Sequence, residues 1–133
     1  MSYIYIATLP ASKHELRGRV IGHSYVKINR ESEEYLDKLA RQLKDSDIKV
    51  VYASDTAARP AEYLAKKMGI GHWVSRKLRG FNYGKFVGRK ADEVGKILHD
   101  LGSKWTENPS VPIVGGDSWT SYTRRFVGGL VGI

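Results

Sequence analysis

Cationic and imidazole side chains near the N-terminus have the composition of an anion-binding site. The segment IYIATLPASKHELRGRVIGH, residues 4–23, begins as an apolar run and then carries His14, Arg17, Arg19 and His23. Guanidinium groups bind phosphate through paired, charge-assisted hydrogen bonds. A basic loop after an apolar run therefore indicates either a site that binds phosphate or a site that does chemistry on it.

The standard motifs of phosphate, dinucleotide, hydrolase and metal sites do not occur in this sequence. It has no G-x-x-x-x-G-K loop, no dinucleotide glycine fingerprint, no G-x-S-x-G turn and no H-E-x-x-H helix. The histidines, at His14, His23, His72 and His99, lack metal-ligand spacing with carboxylates. There is no cysteine, which excludes disulfides and thiolate metal sites. We therefore expect neither a metal nor another cofactor.

The composition is that of a globular protein with a surplus of positive charge. The 133 residues include 22 Lys and Arg against 14 Asp and Glu, a net charge of +8. This length fits a single domain over residues 1–133. The N-terminus does not resemble a signal peptide, and no run approaches the roughly 18 apolar residues of a membrane-spanning helix. We expect a cytoplasmic protein, not bound to membranes, whose basic surface either attracts anionic partners or only aids solubility.

Strands and helices alternate along the chain, which predicts a parallel α/β sheet. β-branched and aromatic residues predict strands at 3–7 and 48–53, and a short edge strand at 72–75. Amphipathic spacing and capping residues predict four helices: 31–44 with Asn29 as the N-cap, about Arg59 to Met68 with Gly69 as the stop, 90–101 ending at Gly102, and one from about Asp117. The last helix is expected to turn Trp119, Tyr122 and Phe126 inward. The glycine-rich tail VGGLVGI is considered as a short extended segment.

Five segments that together span nearly the whole chain follow one another in a recognisable order. They are YIYIAT at 3–8, GRVIGHSYVKINRESEEYLDKLARQL from Gly18, VVYASDTAARPAEYLAKKMGI, KLRGFNYGKFVGRKADEV and GGDSWTSYTRRF. They resemble the first strand and four motifs of the histidine phosphatase superfamily, the phosphoglycerate mutase-like phosphatases. Those motifs are G-R-x-x-G-x-x-D-x-P-L-T, V-Y-S-S-D-L-x-R-A-x-Q-T-A-E, L-R-E-x-x-F-G-x-W-E-G and G-G-E-S-x-x-x-F-x-x-R. The resemblance implies a three-layer α/β/α fold with a small, mainly parallel sheet that lacks the family's C-terminal strand or strands.

The resemblance also implies a specific chemistry, the transfer of phosphate through a phosphohistidine. In this family the nucleophilic histidine lies in an R-H-G-x-T motif directly after the first strand. A second histidine and several arginines hold the phosphoryl group. They are needed because a dianionic ester repels nucleophiles, and positive side chains stabilise the negative charge of the transition state. A carboxylate usually protonates the leaving oxygen.

This sequence departs from the family pattern at the reacting positions. The Arg-His-Gly of the motif falls on residues 8–10, which are Thr, Leu and Pro, and its threonine falls on Ser12. Gly80 stands where the glutamate is expected, and the sequence ends at Ile133 before the segment of the second histidine. Leu9 cannot attack phosphorus. The sequence therefore predicts an inactive, C-terminally shortened phosphatase-like domain with no catalytic residues and a binding or vestigial role.

Some residues suited to anion binding remain. The candidate phosphate ligands are Arg19, Arg59, Ser12 and His23, and the implied ligand is phosphate or a phosphorylated small molecule. One alternative is an active phosphatase or phosphomutase with non-standard residues, in which His14 replaces the nucleophile. That hypothesis still lacks a positioned acid and partner histidine.

Two further partners are considered. Loss of a central strand would leave main-chain groups unpaired, which predicts a homo-oligomer or a protein partner at the exposed sheet. Residues 76–90, RKLRGFNYGKFVGRK, hold six basic residues with Phe81, Tyr83 and Phe86 between them. Such a segment could stack bases and follow a nucleic-acid backbone. The same aromatic positions also match the family's fourth motif, where they would pack the fold.

Overall fold

The structure, a computed structural model, describes residues 3–8 and 17–133. In this part of the chain the regular elements are, in order, α1 Arg30–Gln42, β1 Val50–Ala53, α2 Ala58–Met68, β2 Gly71–Val74, α3 Ala91–Glu107 and α4 Trp119–Val131. Short 3₁₀ turns lie at Asp55–Ala57, Arg76–Leu78 and Gly84–Phe86. The α/β fold with a small parallel sheet is thus confirmed.

Local capping chemistry sets the bounds of α1 and α2, and both helices are confirmed. The Asn29 side chain accepts a hydrogen bond from the Ser32 main-chain N–H at 2.8 Å, which satisfies a free donor at the start of α1. Pro60 lies in the first turn of α2, where its missing N–H costs no hydrogen bond. Gly69 ends α2 in the left-handed conformation, at φ 68°. The two helices pack together, and the Tyr63 hydroxyl donates to Asp37 across them at 2.9 Å.

Strands β1 and β2 pair in parallel, with Val50 opposite Gly71 and Ala53 opposite Val74. The predicted strands at 48–53 and 72–75 are therefore confirmed to within two residues. Helix α2 packs on this sheet. Within the described residues the sheet has only these two strands, so β1 keeps one edge without a main-chain partner.

The predicted strand at 3–7 is wrong. Residues 3–8 have no regular structure, and Ile4 and Ile6 are 87% and 94% exposed. Their composition suits a strand, but strand formation depends on a neighbouring ladder and on burial more than on intrinsic preference. The described contact of this segment is with α1, where the Tyr35 hydroxyl donates to the Thr8 carbonyl at 2.9 Å. Within the described residues, the segment forms no ladder with β1.

Helix α3 continues beyond the predicted stop at Gly102 and ends at Glu107. Its last turn brings Trp105 against the core formed by Phe86, Val94 and Ile113. Burial of an indole outweighs the cost of about 1 kcal/mol for a glycine inside a helix. Packing, which the local sequence does not reveal, therefore extends this helix.

Helix α4 starts two residues after the predicted position and includes most of the tail. Ser118 and Ser121 exchange side-chain and main-chain hydrogen bonds in a capping box, at 2.9 and 3.0 Å. The tail is helical to Val131, so an extended tail segment is not observed. Tyr122 and Phe126 are partly buried as predicted, whereas Trp119 is 49% exposed.

Candidate functional site

Two loops that follow the parallel strands meet at the carboxyl end of the sheet. Asp55 lies two residues after β1, and Arg79 lies five residues after β2. Their side chains form a bidentate pair, with Nε and Nη2 of Arg79 at 2.7 and 2.6 Å from the two carboxylate oxygens. Ligands of open α/β sheets bind at this end, outside the carboxyl termini of the strands. The candidate site therefore lies at this end of the sheet.

The ion pair fixes the charge of Asp55. The hydrogen bond from Arg79 is the main cause that lowers the pKa of the Asp55 carboxyl, with burial acting in the opposite direction. The Arg76 guanidinium adds a weaker contact at 3.5 Å. Asp55 thus stays ionised and is engaged with two cations, so it is not available as a general acid.

Arg125 on α4 braces the loop that carries Arg79. Its Nη1 donates to the carbonyls of Arg79 and Lys77 at 2.6 and 3.1 Å, and its Nη2 donates to Gly80 and to Asp117 Oδ2, both at 3.0 Å. Four acceptors around one guanidinium make a rigid support for the loop. The sequence interpretation did not single out Arg125. The signal was present, because this residue is the final arginine of the fifth family-like segment.

Among the proposed anion ligands that the structure describes, His23 is the one that hydrogen-bonds to this loop. Its Nε2 is 2.8 Å from the Gly80 carbonyl. A carbonyl oxygen only accepts, so Nε2 carries the proton and donates it. His23 therefore contacts the residue at the position where the family's carboxylate would stand.

The structure places Arg19 and Arg59 on other elements. Arg19 is exposed, and its Nη1 donates to the Gly88 carbonyl at 2.7 Å beside a short antiparallel bridge to Lys90. Arg59 is exposed in the first turn of α2. Within residues 3–8 and 17–133, no hydrogen bond joins Arg19, His23 and Arg59 to one another. Ser12 and His14 lie outside the described residues.

The aromatic side chains of residues 76–90 pack into the protein. Phe86 is buried in the core, and Phe81 and Tyr83 pack against that core. Two of the six basic residues of the segment, Arg76 and Arg79, form ion pairs with Asp55. Phe86 is therefore not available to stack a base, and Phe81 and Tyr83 are only partly exposed.

The part of the chain that the structure describes contains no group of three or more side chains arranged to hold a metal ion. Nor is any helix in this part long and apolar enough to cross a membrane.

A comparison with protein families identifies the class of this chain. The sequence profile of the histidine phosphatase superfamily (branch 1) matches residues 10–133. The chain belongs to this superfamily. The match begins after residues 3–8, the first of the five family-like segments, and includes the other four.

Solved structures of phosphatases and hydrolases share the fold. Mycobacterial hydrolase 1 has a TM-score of 0.72 and 17% identity, over 92% of this chain and 60% of that chain. Mycobacterial glucosyl-3-phosphoglycerate phosphatase, solved in complex with VO3, has a TM-score of 0.70 and 19% identity, over 92% and 63%. The alpha-ribazole phosphatase from Shigella flexneri has a TM-score of 0.64 and 17% identity, over 90% and 61%. The chain thus spans about three fifths of the length of these structures. No curated protein sequence matches the chain at a significant level.

Proposed function

We propose that this chain is a phosphatase-like domain, residues 1–133, that binds a ligand or partner without catalysing phosphoryl transfer. The observation that carries the proposal is the identity of the residues at the reacting positions. Leu9 stands where the family places its nucleophilic histidine, and Gly80 stands where it places a carboxylate. Neither side chain can form a phosphoenzyme or donate a proton.

The surroundings of Gly80 support this proposal. The Gly80 carbonyl accepts hydrogen bonds from both His23 and Arg125. The carboxylates that bond to neighbouring residues of this loop, Asp55 and Asp117, are each paired with an arginine, at 2.6 and 3.0 Å. No carboxylate in these contacts is free to take over the role of the general acid.

Within this function, phosphate or a phosphorylated small molecule is the proposed ligand. Arg19, Arg59, His23 and Ser12 are the proposed contacts, and the net charge of +8 favours an anion. The cytoplasm is the proposed compartment, where phosphorylated metabolites are abundant. The exposed edge of β1 is the proposed surface for a protein partner or a second copy of the chain.

Turnover of a generic aryl phosphate tests the catalytic part of the proposal. The chain and its His14→Ala variant should both leave 4-nitrophenyl phosphate unhydrolysed, with a catalytically active histidine phosphatase as the positive control. Hydrolysis by the wild-type chain that disappears in His14→Ala would show that the protein is an enzyme with a displaced nucleophile.

Titration with inorganic phosphate, followed by amide shifts in NMR spectra, tests the binding part. Arg19→Gln and Arg59→Gln should weaken binding, whereas Arg124→Gln, which removes an exposed arginine on α4, should leave it unchanged. Equal weakening by all three variants would indicate general attraction to a basic surface. Such attraction would also fall steeply with added salt.

A further inference from the structure

Phe81, Trp105, Trp119 and Tyr122 form an aromatic cluster between α3, α4 and the loop before α3. The neighbouring ring centroids are 5.6 Å apart for Phe81 and Trp105, 6.3 Å for Trp105 and Trp119, 5.9 Å for Trp119 and Tyr122, and 5.5 Å for Tyr122 and Phe81. All four distances lie in the range of favourable aromatic contacts. Each ring therefore touches two others, and together they wall one site.

This aromatic cluster lines an open cleft of about 380 Å³, and Tyr83 and Leu98 form the rest of its lining. Clefts of roughly 300 to 1,000 Å³ with mainly apolar walls are typical of small-molecule sites. Trp119 is 49% exposed, so one wall of the cleft faces solvent. A ligand can thus reach the rings without opening the core.

The walls are held in place by contacts outside the cleft. Trp105 donates its indole N–H to the Val111 carbonyl at 2.7 Å, which fixes the plane of its ring. Next to Phe81, the Asn82 main-chain N–H donates to Asp117 at 2.9 Å. Trp119 and Tyr122 lie on the first turn of α4, which the capping box orders. A site with fixed walls loses little freedom on binding.

The charges around the cleft select the class of ligand. Aromatic walls can hold cations, but no acidic side chain lines this cleft and the protein carries a net charge of +8. The Arg125 guanidinium already lies over the Tyr122 ring, 5.6 Å from its centroid. A second cation would meet repulsion there, whereas an uncharged or anionic ring could stack.

We propose that the cleft bounded by Phe81, Trp105, Trp119 and Tyr122 binds the planar aromatic group of a neutral or anionic small molecule. This inference goes beyond the proposed phosphate site and does not depend on it. Phosphate binding and aromatic binding can therefore succeed or fail separately.

Indole N–H signals in NMR spectra of the intact chain test the proposal without any substitution. Addition of 2-naphthol should shift the signals of Trp105 and Trp119 more than that of Trp73, which lines a separate open cleft of about 410 Å³. Absence of a shift at both cleft residues, or an equal shift at Trp73, would overturn the proposal.

Variants and competitors then test the chemistry. Trp119→Ala should weaken 2-naphthol binding by about tenfold, the upper range of one aromatic contact. Trp119→Phe, which keeps a ring, should retain most of the affinity, and Trp73→Ala should retain all of it. 2-Naphthalenesulfonate should displace 2-naphthol, whereas tetramethylammonium and cyclohexanol should not. Displacement by tetramethylammonium would show a cation site, and displacement by cyclohexanol would show an unselective apolar cleft.

Discussion

The carboxylate of Asp55 and the guanidinium of Arg79 form two short hydrogen bonds, at 2.7 and 2.6 Å, between the loops that follow β1 and β2. The pair fastens the carboxyl end of a sheet that has two strands in the described part of the chain. Both residues match positions of the family motifs, Asp55 in the third segment and Arg79 in the fourth. This pair thus stands at matching motif positions, while Leu9 and Gly80 stand where the family resemblance places the nucleophile and the carboxylate.

The Asp55–Arg79 pair should make the free energy of unfolding depend on pH. Because the Arg79 hydrogen bond lowers the pKa of Asp55 in the folded state, the ionised carboxylate stabilises the fold above the unfolded pKa of about 4. That stabilisation should disappear as the pH falls from about 4 through the lower folded value. The urea midpoint of unfolding, measured from pH 7 to pH 2, should therefore fall steeply at acid pH for the wild type. It should fall less for Asp55→Asn.

Asp45→Asn is the matched control, since Asp45 is exposed and has no ion pair among those that the described residues form. Its pH profile should follow that of the wild type. An Asp55→Asn profile that is equally steep would mean that other carboxylates dominate the acid response.

The contacts of Arg125 should stabilise the loop at residues 77–80. Lysine keeps the positive charge but cannot reach four acceptors at once, so Arg125→Lys should lower the free energy of unfolding by roughly 2 kcal/mol. Amide hydrogen exchange in the loop at residues 77–80 should become faster than in the wild type. Arg124→Lys, which alters the exposed neighbour, should change neither quantity. Equal effects of both substitutions would show that the contacts of Arg125 are not specific.

Much of the fold could be predicted because its signals are local. The Asn29 cap, the position of Pro60 in a first turn and the Gly69 stop each act within a few residues, and α1 and α2 form accordingly. The strand expected at 3–7 and the stop expected at Gly102 failed because both depend on distant partners. A strand needs a neighbouring ladder, and the end of α3 depends on the packing of Trp105.

The sequence prediction named one residue of the candidate site, His23, but not the contacts that form the site. Sequence order indicated Arg19, His23 and Arg59, yet each lies on a different element and only His23 touches the Gly80 loop. The role of Arg125 depends on main-chain carbonyls, which every residue carries and which therefore leave no signal in the sequence. Contacts of this kind appear only when the backbone path is known.

The exposed segment 3–8 should promote self-association. Ile4 and Ile6 are exposed, and the outer edge of β1 has no main-chain partner in the described part of the chain. Apolar residues and an open strand edge both favour pairing with a second copy. The mass measured by light scattering should therefore rise with protein concentration, and Ile6→Lys should shift it towards the monomer. Val127→Lys is the control, because it places the same charge on an exposed position of α4. A wild-type chain that stays monomeric at every concentration would contradict association through this segment.

Two glycines, Gly84 and Gly95, differ in the space that an added side chain would find. Gly84 has φ 51°, and a Cβ there would collide with the Val114 carbonyl oxygen and lie 2.6 Å from the Gly116 nitrogen. Gly84→Ala should therefore lower the free energy of unfolding by at least about 1 to 3 kcal/mol, the cost of a strained backbone residue. Gly95 lies inside α3 with open space around its missing Cβ, so Gly95→Ala should raise that free energy by about 0.5 to 1 kcal/mol. Urea denaturation of the two variants beside the wild type measures both signs in one experiment. Stabilisation by Gly84→Ala would mean that this turn does not have the conformation described, because an alanine there meets main-chain atoms of residues 114–116.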